Sequence, residues 1–236
     1  MVESNQLEPP TPTKGSVRIH LVRHGLVEAQ WHGKVYGQLD VELSMEGEEQ
    51  ARRAAQALAS VELAGVISSG LERAEFGAAC IRSDRNLKRR DEPALAEIDR
   101  GKWAGLLPQE IEEHWPGGWR NWWLNPKQTQ PPGGESLSDL SQRVLPCIEA
   151  LAAEYGGREI AVVAHSWVIR ICVTHALGLG CEATTRFDLP PASIAVLDWP
   201  QKTPNSLKRP VLASFCSDSA PNNEAGWFRG PRREAD

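Results

Sequence analysis

Two cationic side chains, Arg23 and His24, stand where an apolar run ends and a glycine follows, in Leu21-Val22-Arg23-His24-Gly25. Two other apolar runs end in a similar way: Gly65-Val66-Ile67-Ser68-Ser69 leads to Arg73, and Ile160-Ala161-Val162-Val163-Ala164 stops at His165. Brought together, two arginines and two histidines would hold an anion. A guanidinium is a planar, permanently charged fork for anionic oxygens, and a protonated imidazole adds a donor. Cations close by also disfavour a proton on His24. A neutral imidazole is a nucleophile, so His24 is the candidate to attack and Arg23 the candidate to clamp.

These residues need elements that bring them to one edge. The stretch 17–22 is rich in β-branched residues and reads as a strand. So do 65–69 and 160–164, each followed by a helix-like segment, which is the βα pattern of a parallel sheet. In open α/β sheets ligands sit in the crevice past the carboxyl ends of the strands. The expected fold class is therefore α/β, a three-layer sandwich with a mostly parallel central sheet and helices on both faces. Gly25 has no Cβ, so it lets the backbone turn sharply and a ligand come close. Ser44 caps a helix over 45–60. Ser136 and Asp139 start a second helix running to about 155, which Pro146 kinks and Gly156-Gly157 ends. Residues 193–199 and 211–215 read as two further strands. Trp103, Trp115, Trp119, Trp122 and Trp123 crowd a segment broken by Pro108, Pro116, Gly117 and Gly118, which should cover the sheet rather than build it.

Five ordered segments are more specific than any one of them: Leu21-Val22-Arg23-His24-Gly25, Ser68-Ser69-Gly70-Leu71-Glu72-Arg73-Ala74, Glu97-Ile98-Asp99-Arg100-Gly101-Lys102-Trp103, Pro132-Gly133-Gly134-Glu135-Ser136 and Val162-Val163-Ala164-His165. Together, over about residues 17 to 217, they resemble the histidine phosphatase superfamily. The similarity is greatest to the small bacterial branch of alpha-ribazole phosphatases and broad-specificity phosphatases. The resemblance implies a phosphoglycerate mutase-like fold and hydrolysis of a phosphomonoester in two steps, through a phosphohistidine on His24. It implies Arg23, Arg73 and His165 as further catalytic residues, Glu97 as the proton donor to the leaving oxygen, and Arg23, Gln30, Arg73 and His165 around the phosphate. No metal and no cofactor are implied. The tryptophan-rich excursion of about 103–130 would lie over the site, with most rings packing and one or two near the substrate.

The chain also departs from that pattern. Leu26-Val27 and Gln30 stand where Glu-Thr and an Asn are usual, although the Gln30 amide still offers a phosphate donor. Arg100 replaces an aromatic residue and Ala104 a second glutamate. Ser166-Trp167 follow His165 where two glycines are common; Ser166 would add a donor, and Trp167 would narrow the cleft or pack in the helix. Two readings stay open beside the phosphatase: a phosphoglycerate mutase-type phosphotransferase, and a non-catalytic regulatory protein that binds a phospho-ligand. A metallohydrolase built on His24, His165 and Glu97 is disfavoured, because two arginines would crowd a divalent cation. The expected partner is a small-molecule phosphomonoester, alpha-ribazole 5'-phosphate or a similar metabolite, and the tryptophans favour a flat or apolar leaving group.

Bulk properties narrow the class further. The chain has 236 residues, enough to bury a core without disulfides. Lys and Arg number 26 against 31 Asp and Glu, a net charge of −5 with no basic signature for nucleic acid. The five cysteines, Cys80, Cys147, Cys172, Cys181 and Cys216, are odd in number and show no paired spacing, which fits reduced thiols in a cytoplasm. No stretch approaches the roughly 18 continuous apolar residues of a membrane span. Residues 1–16 and 218–236 read as a disordered lead-in and a polar tail around one domain at 17–217. An exposed edge strand would support a homodimer.

Overall fold

The computed structural model describes residues 15–201 and 209–217. The expected tail, nearly all of the lead-in and most of the loop between the last two strands lie outside the described residues.

One sheet of five strands forms the middle layer: β1 (Ser16–Arg23), β2 (Leu63–Ser68), β3 (Glu159–Ala164), β4 (Ile194–Pro200) and β5 (Val211–Ser217). Their spatial order is β2-β3-β1-β4-β5. Strands β2, β3 and β1 run parallel, whereas β4 is antiparallel to both β1 and β5. The register decides the site: Leu21 pairs with Val162 and Arg23 with Ala164, so the residues that follow, His24 and His165, leave the sheet side by side.

The alternation of side chains along each strand builds two cores. Val17, Ile19 and Leu21 of β1 and Ile160 and Val162 of β3 face one side, while Val22, Ala161 and Val163 face the other. The second face is covered by α1 (Met45–Ala57) and α2 (Glu72–Arg82), through Ala54, Ala74, Ala78 and Ile81. The first is covered by α5 (Leu137–Glu154) and α6 (Ser166–Ala176). Above them the excursion folds into α3 (Pro108–His114) and α4 (Gly118–Leu124), whose Ile111, Trp119 and Trp122 join the same core. The molecule is thus the three-layer α/β sandwich that its strand–helix alternation predicts.

Local chemistry sets the element ends. Ser44 Oγ accepts from the Gly47 N–H at the start of α1, and Ser136 and Asp139 exchange a full capping box at the start of α5. Helix α5 continues through Pro146, which sits on its exposed side. A proline inside a helix costs about 3 kcal/mol or more. Leu137, Leu140, Val144, Ile148 and Leu151 are all fully buried along the opposite stripe. At about 1.5–3 kcal/mol each, their burial outweighs that cost. No helix among the described residues is long and apolar enough to cross a membrane.

Candidate active site

Beyond the carboxyl ends of β1 and β3 lies a cleft of about 110 Å³. Arg23, His24, Glu97, Arg100 and Arg170 line it, with Trp31, Trp119, Trp123 and Trp167 in the walls. Two of the five tryptophans of the excursion therefore reach the cleft, Trp119 and Trp123, while Trp103 and Trp122 are buried in the core.

The His24 ring is held by its own neighbour. Nδ1 lies 2.7 Å from the carbonyl oxygen of Gly25, which can only accept, so Nδ1 carries the proton and Nε2 the lone pair. Burial first, then the charges of Arg73 and Arg23, push His24 well below the ordinary imidazole pKa and keep the ring neutral. Backbone bonds fix its position: the His24 N–H donates to Ala164 and its carbonyl accepts from Ala192, a residue held at φ 58°. The glycine that follows has a role different from the one expected. A Cβ on Gly25 would fall 2.1 Å from the Gly47 carbonyl oxygen, and one on Gly47 would fall 1.9 Å from the Leu26 carbonyl. The close approach is made by the first turn of α1, packed backbone to backbone against the loop that carries His24.

His165 is the N-cap of α6, completely buried, with its ring centroid 5.2 Å from that of His24. Its Nε2 is 2.7 Å from Ser69 Oγ, which also accepts from the Leu71 N–H. Ser69 Oγ and Nε2 share one hydrogen bond, and Nδ1 is a buried ring nitrogen with no protein partner. Burial and then Arg73 hold this imidazole neutral as well. In the tautomer with its hydrogen on Nδ1, His165 offers a phosphate donor without the protonated ring that the sequence suggests.

Arg23 donates Nη1 to the Leu189 carbonyl and leaves Nε without a partner. Arg73 lies behind the lining, 1% exposed, donating to the carbonyls of Gly37 at 2.6 Å and Leu39 at 2.7 Å. Its guanidinium stacks 5.2 Å from the Tyr36 ring and its Nε is also unpartnered. Glu97 enters from the loop before the turn at 101–103, and its carboxylate accepts from its neighbour Ile98 N–H at 2.9 Å and from Trp167 N–H at 3.2 Å, near the start of α6. Among the described residues no group of three or more His, Cys, Asp or Glu is placed to hold a metal ion.

The structure brings Arg23, His24 and Glu97 into the cleft lining with Arg73 and His165 buried directly behind it, but leaves out Gln30. Gln30 is exposed on the short turn Ala29–Trp31 and is absent from the cleft lining. A six-residue spacing from the histidine carried it into the expected phosphate set, and that turn aims it outward. Ser166 accepts from Arg170 Nε at 3.1 Å, tying the α6 start to an arginine the sequence reading passed over. Arg170 and Arg100 are both buried cations of the lining; the sequence marked only Arg100, and only as a departure from an aromatic.

Residues 19–209 match the histidine phosphatase superfamily (branch 1). Phosphoserine phosphatase 1 of Hydrogenobacter thermophilus is 32% identical over 81% of this chain and 91% of its own. A glucosyl-3-phosphoglycerate phosphatase of Mycolicibacterium vanbaalenii is 31% identical over 69% of this chain and 75% of its own. The solved alpha-ribazole phosphatase of Shigella flexneri superposes with a TM-score of 0.74 at 27% identity, covering 85% of this chain and 96% of that one. The chain belongs to the histidine phosphatase superfamily, branch 1.

Proposed function

We propose that the protein hydrolyses a small-molecule phosphomonoester through a phosphohistidine on His24, without a metal ion. The observation that carries this reading is the His24 imidazole itself: neutral, anchored through Nδ1 on the Gly25 carbonyl, with Nε2 left as the nucleophile beside arginines and Glu97. The charge a metal would neutralise is met by Arg23 and Arg73, and catalysis of phosphoryl transfer is largely positioning and electrostatics.

In the first step Nε2 attacks phosphorus in line and the ester P–O bond breaks. Arg23, Arg73 and His165 hold the non-bridging oxygens, and Glu97 gives its proton to the leaving alkoxide. In the second, the Glu97 carboxylate takes a proton from water, whose oxygen forms the new P–O bond as the P–N bond breaks. Neutral His24 and protonated Glu97 are restored, and inorganic phosphate leaves. Alpha-ribazole 5'-phosphate remains one candidate ester, and the related phosphatases named for phosphoserine and glucosyl-3-phosphoglycerate widen the class to small phosphorylated acids.

The test is phosphate release from a panel of phosphomonoesters in the presence of a chelator. Catalytic release at an undiminished rate is expected. Loss of turnover on chelation would overturn the metal-free mechanism, and isomerisation of phosphoglycerate without phosphate release would make the protein a mutase.

A further inference from the structure

We propose that Arg100 is the specificity-determining residue of this cleft, binding a carboxylate on the leaving group; this rests on the phosphatase reading above. Arg100 lines the cleft together with His24 and Glu97, yet it is 5% exposed. Its guanidinium is stacked 4.4 Å from the Trp122 ring and 5.1 Å from the Trp167 ring. No ion pair or hydrogen bond of this side chain occurs among the described residues, and Nη1 is a buried donor without a partner. Glu97 acts on it electrostatically without forming an ion pair with it. Burial lowers the guanidinium to about 10, so it still carries its charge at neutral pH.

A buried cation with an empty donor is costly unless something supplies the missing acceptor. Here the site is built to hold that cation still. A Cβ at Gly37 would fall 2.7 Å from Arg100 Cγ, so only glycine leaves room for the stem. The backbone on either side is pinned by Asp99 Oδ1 accepting from the Gly101 N–H and by Glu135 accepting from the Asp99 N–H. Two indoles that meet each other edge to face hold the guanidinium beside them, and its planar fork matches a carboxylate.

The neighbouring cations have other tasks, since Arg23 keeps an open Nε for the phosphate and Arg170 is bonded within the protein. Arg23 donates to Leu189, and Arg170 to Thr184, Phe187 and Ser166. One free fork with one charge fits one carboxylate better than a second phosphate dianion. Arg100 takes up Trp122 while Trp119 and Trp123 still line the cleft, so the wall sets a charge beside the apolar surface that the tryptophans suggested.

Two substrate pairs that differ by one carboxylate test this: 3-phosphoglycerate against glycerol 3-phosphate, and O-phosphoserine against phosphoethanolamine. The wild-type kcat/KM for phosphate release should favour the carboxylated member of each pair by about 10- to 100-fold. Arg100→Gln should bring the ratio close to one, and Arg100→Lys, which keeps the charge, should retain part of it. Equal values within both pairs for the wild type would overturn the proposal without needing a folded variant. So would an undiminished preference in Arg100→Gln. No phosphate release from any of the four esters, nor from p-nitrophenyl phosphate, would instead refute the phosphatase reading on which the proposal rests.

Discussion

Replacing Gly25 by alanine probes the contact between the catalytic loop and α1. The new Cβ would sit 2.1 Å from the Gly47 carbonyl oxygen and 2.7 Å from its carbon, both backbone atoms. Real Cβ atoms do not approach closer than 3.0 Å, so the end of β1 and the start of α1 must part by at least about 0.9 Å. No side chain is available to bend away. Overpacking of this kind costs about 1–3 kcal/mol. In a domain of this size that lowers Tm by about 2–12 °C. The chemical effect should be larger, because the Gly25 carbonyl that anchors His24 Nδ1 moves with the strain. A displacement near 1 Å at a reacting group costs about 100-fold in rate. The assay is thermal unfolding together with kcat on p-nitrophenyl phosphate. Gly77→Ala in α2 is the control, since its Cβ meets only side chains, Val163 at 3.2 Å and Ala51 at 3.9 Å. A Gly25→Ala variant with wild-type Tm and wild-type kcat would refute the reasoning.

Three other perturbations follow from the site. Glu97→Gln should slow alkyl phosphate esters by about 100-fold or more while sparing the phosphorylation step with a nitrophenolate leaving group; an equal loss at that step for both classes would remove Glu97 as the acid. Ser69→Ala deletes the hydroxyl bonded to His165 Nε2, so phosphate inhibition should weaken by about 5- to 10-fold, and an unchanged inhibition constant would count against His165 as a phosphate donor. Finally, His24 and His165 are held well below 6.5 by burial and Arg73, whereas the unfolded chain titrates near that value. Below it the unfolded state binds the extra protons, so this stability is full above about pH 6.5 and falls as pH drops, by up to about 1.4 kcal/mol per unit for each ring. Tm should decline between pH 7.5 and 5.5 and decline less in His24→Asn; identical slopes would contradict the assignment.

What could be read before the structure and what could not divide along physical lines. Local signals carried the strands of 17–22 and 160–164, the Ser44 and Ser136 caps, and the cations at the strand ends, because alternation, capping and chain order are encoded within a few residues. Contacts made across the fold left no such trace. Gly47 faces Gly25 through backbone alone, and nothing in its neighbourhood of sequence announces it. The burial of Arg100 depends on Trp122 and Trp167, far away along the chain, so by itself it reads only as a departure from an aromatic. Gln30 failed for the converse reason: spacing alone put it near phosphate, while a short 3₁₀ turn rotates it to solvent.

The central claim is that His24 is phosphorylated during turnover. Labelled substrate with a good leaving group, mixed with Glu97→Gln enzyme and quenched within milliseconds into alkali, should leave acid-labile, alkali-stable phosphate on the peptide that contains His24. The amount should approach one phosphate per chain and be absent when His24 is also changed to Asn. Turnover without label on that peptide, or full turnover in His24→Asn, would contradict the mechanism.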